Sequence, residues 1–578
     1  MSFAENTIRT LLACRNPHGV WEGCLSSSAL STATAMIALS QSKGEDLELV
    51  KRGSQWLERN QNSDGGWGDT VRSKSNISTT ALCWAALAEG KAASGAQAWL
   101  RNAAGSTDPE PLSRAIVARY GKDQTFSVPI LTALAIGGRL GPRPQCWRRI
   151  PQLPFELAAL PHQCFQWLQL PVVSYALPAL IAIGLARHGN APSRNPVTRA
   201  ARNAVTGRVL RILRHIQPSG GGFLEATPLT SFVAMSLMAA GLSSHAVVQE
   251  CLNFLRASIR RDGSWPIDTN LSTWITTLAI NALPDAGALN GEERGRLTDW
   301  LLAQQSTTEH PYTHAAPGAW AWTNLPGAVP DADDTAGALL ALKKLGGQHR
   351  DDVRQAARRG TGWLLDLQNR DGGIPTFCRG WGHLPFDRSG ADLTAHALRA
   401  WNAWMPELTG AEASRLQRGL ARGIAYLDKV QQADGSWIPL WFGNQHAPLE
   451  QNRTFGTARV VVALREVRGA GDPLTKGLNW LARAQNADGG WGGAPDVESS
   501  IEETALAVAA LAGLPDQAAR LRRGRDWLAA QTANGTRFPC TPIGFYFASL
   551  WYFEELYPLV FSASAAVSGE TDAGGSIS

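Results

Sequence analysis

One short segment recurs along the chain and restricts what it can fold into. It reads Gln61-Asn62-Ser63-Asp64-Gly65-Gly66-Trp67 and returns as Gln368-Asn369-Arg370-Asp371-Gly372-Gly373, with Ile374 in the last place. Further copies run from Gln431 to Asp434-Gly435-Ser436-Trp437 and from Gln485 to Asp488-Gly489-Gly490-Trp491. Trp56-Leu57, Trp363-Leu364, Tyr426-Leu427 and Trp480-Leu481 stand shortly before them. Degraded copies end at Trp21, Phe223, Trp265, Trp320 and Phe538. Repeats spaced by about 45–65 residues indicate an array of stacked helix pairs.

Each unit has a mechanical reading. The Trp-Leu pair lies on an outer helix, and the Gln-to-Trp segment is the turn that ends it. Its glycines allow left-handed backbone, and the Gln amide can bond to orphaned helix-end groups. The final Trp packs back over the turn and buries a large apolar area. These tryptophans read as staples. Alternating helices with few valine- and isoleucine-rich strand patterns make the chain all-α.

After each turn an apolar helix begins. Aligned, these starts read Ser78-Thr79-Thr80, Asp333-Asp334-Thr335, Asp392-Leu393-Thr394 and Glu502-Glu503-Thr504. In the second, Asp331-Ala332-Asp333-Asp334 puts three carboxylates within four positions. Like charges that close cannot all ionise freely, so the cluster should hold a proton near neutral pH. A solvated N-cap cluster is the plain alternative, since acids favour a first helical turn. His396, one turn inside its helix, can reach the cluster from a neighbouring repeat. Taken alone it also reads as a satisfied core histidine.

The Asp-x-Asp-Asp-Thr motif, the Gln-to-Trp repeats and the segment Asp392-Leu393-Thr394-Ala395-His396 together resemble class II terpene cyclases, specifically squalene–hopene cyclases. The resemblance spans roughly Ala13 to Pro558. It implies two α/α toroid barrels built from helix pairs, one inserted in the other, with the active-site cavity between them. Mapped here, one barrel is 1–24 plus 269–562, the inserted barrel is 25–268, and residues 563–578 form a disordered tail. The resemblance makes Asp333 the proton donor, flanked by Asp331 and Asp334, with His396 as its hydrogen-bond partner and Asp392 beside that His. It implies an aromatic lining from Trp274, Trp322, Trp441, Phe377, Phe545 and Tyr546, the last two on an aromatic C-terminal helix. One large pocket with Asp333 at its end and Trp274, Trp322 and Trp441 as walls is expected. Where the family has a further cavity Trp this chain has Leu170, and the segment 376–388 before the His is compressed. No counterpart to the family's ring-steering Tyr stands out, and the membrane-contacting stretch shrinks to about Gly189–Thr198.

Composition narrows the partners. The net charge is +5 and the arginines scatter, which excludes a nucleic-acid patch. Arg199, Arg202, Arg208, Arg211 and Arg214 share a segment with Val205, Val209, Ile212 and Ile216, which fits a membrane-surface helix or a solvated outer helix. Eight cysteines are dispersed without Cys-x-x-Cys spacing, so neither a disulfide framework nor a zinc site is expected. The N-terminus lacks a signal pattern, and no apolar run approaches the roughly 18 residues of a membrane span. The expected setting is cytoplasmic, with peripheral contact on the inner membrane face. No cofactor or metal is expected; a linear isoprenoid substrate and a second copy of the chain are the expected partners. Three functions fit these residues: a cyclase of squalene or a similar polyprene, a cyclase of a prenyl diphosphate using Arg379, His383 and Arg388, or a non-catalytic helical scaffold.

Overall fold

In the computed structural model, which describes residues 1–42, 44, 46–121, 124–161, 176–284, 287–311, 313–377, 386–545 and 549–570, each Gln-to-Trp segment is a three-way clamp. The Gln amide donates to its own turn and to the next outer helix: Gln368 to the Gly372 and Gly419 carbonyls at 2.8 and 3.0 Å, Gln485 to those of Gly489 and Arg520 at 2.8 and 3.0 Å. The Trp indole donates back to the end of the preceding helix, as Trp437 does to the Leu427 carbonyl at 2.8 Å. The backbone N–H of that same Trp, or of Ile374, donates to a threonine of an inner helix, the next one in the chain except for Trp21, which reaches Ser272–Ala282. Thr80, Thr276, Thr335, Thr394, Thr457 and Thr504 all accept in this way at 2.9–3.1 Å.

This shared bond sets a register. Two positions before the threonine stand Trp274, Asp333, Asp392, Phe455 and Glu502, each in the first turn of its helix. The turn needs glycine where φ is positive. At Gly372 φ is +94°, and a Cβ there would lie 2.3 Å from the Arg422 carbonyl oxygen. Gly372→Ala should therefore cost about 2–4 kcal/mol, read as a fall in melting temperature. An unchanged melt would mean that the turn tolerates rearrangement.

The chain divides into two compact units. The first comprises Met1–Cys24, Asn270–Asn324 and Ala328–Ser578. Its inner helices are Ser272–Ala282, Ala332–Lys344, Ala391–Trp404, Arg453–Val467, Ile501–Leu511 and Tyr557–Glu570, each packing on the next and the last on the first. Outer helices such as Asp351–Leu367 and Gly410–Val430 back this ring. The arrangement is an α/α barrel. Inner helices such as Ile501–Leu511 are buried along nearly their whole length, whereas outer ones such as Asp351–Leu367 carry one apolar stripe.

The second unit comprises Leu25–Thr269 and Leu325–Gly327. Its inner ring is Ala29–Leu39, Ile77–Ala86, Gln124–Ile136, Leu177–Asn190 and Thr227–Ala239, with every residue of Ala29–Leu39 buried. Leu325–Gly327 join this unit although the sequence reading put them in the first barrel. Gly327 sits in a cradle where its N–H donates to Glu225 at 2.8 Å, and a Cβ would meet the Gly222 carbonyl oxygen at 2.6 Å.

Two other expectations are corrected. The expected disordered tail from 563 is helical through Glu570: Ala563, Ala565 and Ala566 are buried, and their small side chains let the Tyr557–Glu570 helix close the ring. The aromatic stretch at 545–552, expected as a helix, is not helical in its described residues, where Phe545 and Leu550 exchange backbone hydrogen bonds at 2.8 and 3.3 Å. The basic segment is the outer helix Pro196–Ile216, whose Val209, Leu213 and Ile216 are packed inward. No helix among the described residues is long and apolar enough to cross a membrane.

Candidate functional site

The acid cluster is built by the start of the Ala332–Lys344 helix. Asp331 is its N-cap, and its carboxylate accepts from the Asp334 N–H at 2.9 Å. The Ala332 N–H donates to the Thr376 carbonyl at 2.9 Å, and the Thr335 hydroxyl to the Asp331 carbonyl at 2.6 Å. The helix start is thus locked without using the Asp333 side chain. Asp333 keeps 22% of its side chain accessible, whereas Asp331 and Asp334 are each 4% exposed. Burial, with the Asp333 charge adding, pushes Asp331 up to about 7. Burial and the neighbouring carboxylates push Asp334 further, well above the usual range. The cluster therefore holds protons near neutral pH.

His396 approaches from the adjacent inner helix, with Nδ1 2.5 Å from Asp333 Oδ1. The imidazole is 3% exposed. Burial lowers its pKa in spite of the opposing influence of Asp333, which favours the neutral ring. Trp274 meets it edge-on, with ring centroids 6.1 Å apart.

Asp392, four residues before His396, also has an anchoring task. Its carboxylate accepts from the Leu440 and Trp441 N–H groups at 2.9 and 3.4 Å, and burial raises it to about 6. It therefore anchors Trp441. The indole of Trp441 donates to the Thr376 hydroxyl at 2.8 Å, so the residue that holds the Ala332 N–H also orients this ring.

From Trp441 a chain of rings runs back to Trp274. Phe377 and Phe545 flank Trp441 at 6.3 and 4.6 Å, Phe545 meets Tyr552 at 5.2 Å, and Tyr552 meets Tyr557 at 6.2 Å. The Trp274 indole donates to the Tyr557 hydroxyl at 3.1 Å. Trp322 stands apart from these rings. Its carbonyl accepts from the Thr273 and Trp274 N–H groups, capping the Ser272–Ala282 helix, and its indole N–H is buried without a hydrogen-bond partner among the described residues. Tyr546, Leu170, Arg379 and His383 lie outside the described residues. Arg388 lines a cavity of 210 Å³ with Tyr426, Gln432 and Leu440.

Sequence reasoning missed Tyr557 and Phe386, which stacks on Phe377 at 4.8 Å, and it gave Glu502 and Glu503 no function. The aligned threonines were the signal for the glutamates. Glu503 accepts from Asn444 and Asn452 at 3.1 and 2.8 Å, and Glu502 from the Thr541 N–H at 2.8 Å. Like Asp392, they hold loops that carry the aromatic residues; Asp333 is the first-turn acid left accessible.

Burial raises Glu502 to about 8, so the folded state binds its proton more tightly than the unfolded chain does. That contribution to stability is complete below about pH 4 and is lost as pH rises toward 8. Glu502→Gln should therefore raise the melting temperature at pH 8 by about 2–4 °C and leave it nearly unchanged at pH 4–5. An equal shift at both pH values would count against a buried, protonated Glu502.

Residues 271–560 match the C-terminal domain of squalene–hopene cyclase and residues 4–176 its N-terminal domain. The squalene–hopene cyclase of Zymomonas mobilis is 23% identical over 91% of this chain and 88% of its own length. Enfumafungin synthase of Hormonema carpetanum is 26% identical over 83% of this chain but only 41% of itself, and the chain spans less than half the length of several such relatives. The ent-copalyl diphosphate synthase of Streptomyces platensis shares the fold, with a TM-score of 0.57 and 20% identity over 98% of both chains. Two domain matches that together cover most of its length place the chain in the squalene–hopene cyclase family of class II terpene cyclases.

Proposed function

We propose that the protein cyclises squalene or a similar linear polyprene by protonating its terminal alkene from Asp333. The observation that supports this most is the Asp333–His396 contact of 2.5 Å, with Asp333 the accessible acid in a buried cluster. The His396 Nδ1–H donates to Oδ1, which leaves the acidic proton on Oδ2. The Oδ2–H bond breaks, a C–H bond forms at the alkene, and the π pair is spent in forming it. The carboxylate that remains is stabilised by the helix N-terminus, worth about 0.3–1 kcal/mol, and by the imidazole. The tertiary cation draws in the next double bonds in turn, and the cascade closes by loss of a proton or capture of water. Trp274, Trp441 and Phe545 offer π faces to these cations and keep water away.

A second reading, cyclisation of a prenyl diphosphate by the same protonation, is favoured by Arg388, which lines a cavity against Leu440, the neighbour of Trp441. Incubating the purified protein separately with squalene and geranylgeranyl diphosphate, then analysing extracts by mass spectrometry, separates the two. The expected products have the mass of squalene, or that mass plus one water. Conversion of the diphosphate alone would establish the second reading, and no conversion of either by folded protein would reject acid-initiated cyclisation of both.

A further inference from the structure

Arg459 lies on the Arg453–Val467 helix, one turn beyond Phe455. Phe455 holds there the place that Asp392 holds on Ala391–Trp404, since Thr457 and Thr394 accept from equivalent turns. A step of four residues keeps side chains on one helix face. Arg459 therefore stands on its helix where His396 stands on the neighbouring one, and those two helices pack together. Leu278, Gly337 and Leu506 hold the same place on three other inner helices. Two adjacent positions of this layer, one helical turn below the level of the acid, are thus given to a histidine and an arginine.

A guanidinium stays charged in any protein setting, so seating one here costs solvation that must be returned elsewhere. Arg459 is half-buried, and burial lowers its pKa while Asp333, Asp392 and Glu466 oppose the drop and Arg399 adds to it. None of these carboxylates pairs with it among the described residues. Glu466 is held by Arg399 at 2.8 and 2.9 Å, Asp392 by the Leu440 and Trp441 backbone, and Asp333 by His396. On the next inner helix Glu502 and Glu503 are engaged by Thr541, Asn444 and Asn452. On the outer helix behind it, Lys476 pairs with Asp472 at 2.6 Å. What Arg459 does touch is the ring of Phe455, 5.9 Å from its Cζ.

We propose that Arg459 is a positioning residue of the acid: a standing positive charge, level with the imidazole, that keeps His396 neutral and the proton on Asp333. The inference rests on Asp333 being the acid. In an isolated pair the imidazole is the stronger base and would take the carboxyl proton, leaving an ion pair unable to protonate an alkene. A cation beside the ring, and one turn deeper than the carboxyl, disfavours imidazolium. Once the proton has gone to the substrate, the new carboxylate and the guanidinium attract one another through space.

The test is a titration of His396 by NMR in protein labelled with ¹⁵N-histidine, the signal assigned by its loss in His396→Gln, beside turnover of squalene. In the wild type His396 should titrate at a lower pH than an ordinary histidine. In Arg459→Met its pKa should rise by about one unit or more, and turnover should fall about ten- to a hundredfold. Arg459→Lys should restore most of both. If Arg459→Met does not fold, Arg459→Gln carries the same two measurements. A folded, neutral-side-chain variant with an unchanged His396 titration would overturn the proposal. If the wild type converts no substrate the acid assignment falls, and the titration still decides the effect of the charge on its own.

Discussion

Asp333→Asn should lower turnover by more than about a thousandfold while the protein stays folded, since a general acid alone contributes roughly 10²–10⁴. The amide has no proton acidic enough for an alkene, yet it keeps the shape of the carboxyl and still accepts from His396. The fold does not depend on the missing oxygen. Helix capping is the work of Asp331, which accepts from the Asp334 N–H, and the turn is tied by Thr335 to Trp320. Melting temperature should therefore change little, and the loss should appear in kcat. Wild-type turnover by folded Asp333→Asn protein would end the acid-initiation reading.

What could be read from the residues alone followed their range. The Gln-to-Trp clamp is local, and its composition announces its geometry: a Gln, a left-handed glycine and a Trp within seven positions leave few arrangements. The recurring threonine is visible as an alignment mark, but its partner, the N–H of a Trp or of Ile374 13–20 residues earlier, depends on how turn and helix meet. Asp392 shows the limit of proximity in sequence. Four residues before His396, it reads as part of the acid machinery, and its bonds to the Leu440 and Trp441 N–H groups, 48 and 49 positions away, are not announced by the sequence. Likewise the small residues after Ser562 read as a tail because their composition lacks an apolar stripe. An inner helix closing a tight ring needs small side chains rather than a stripe. Arg459 is hard to read for a related reason: a single arginine among Ala458 and Val460–Val462 looks like an outer-face residue until the register puts it level with His396.

The second large effect concerns the partner of the acid. His396→Ala should reduce turnover by about a hundredfold, because it removes the donor that leaves the proton on Oδ2 and steadies the carboxylate afterwards. It should also cost about 1–3 kcal/mol of stability, since a buried ring between Trp274 and Gly337 is replaced by a void. The two consequences are separable: a packing loss lowers the melting temperature, whereas the loss of turnover should persist well below the melt. The decisive comparison is the double variant. If His396 acts through Asp333, removing the imidazole from a protein that already lacks the acidic proton has nothing left to impair, so Asp333→Asn with His396→Ala should be about as slow as Asp333→Asn alone. A double variant slower by the full additional hundredfold would mean that His396 contributes by another route, and the 2.5 Å contact would then be structural.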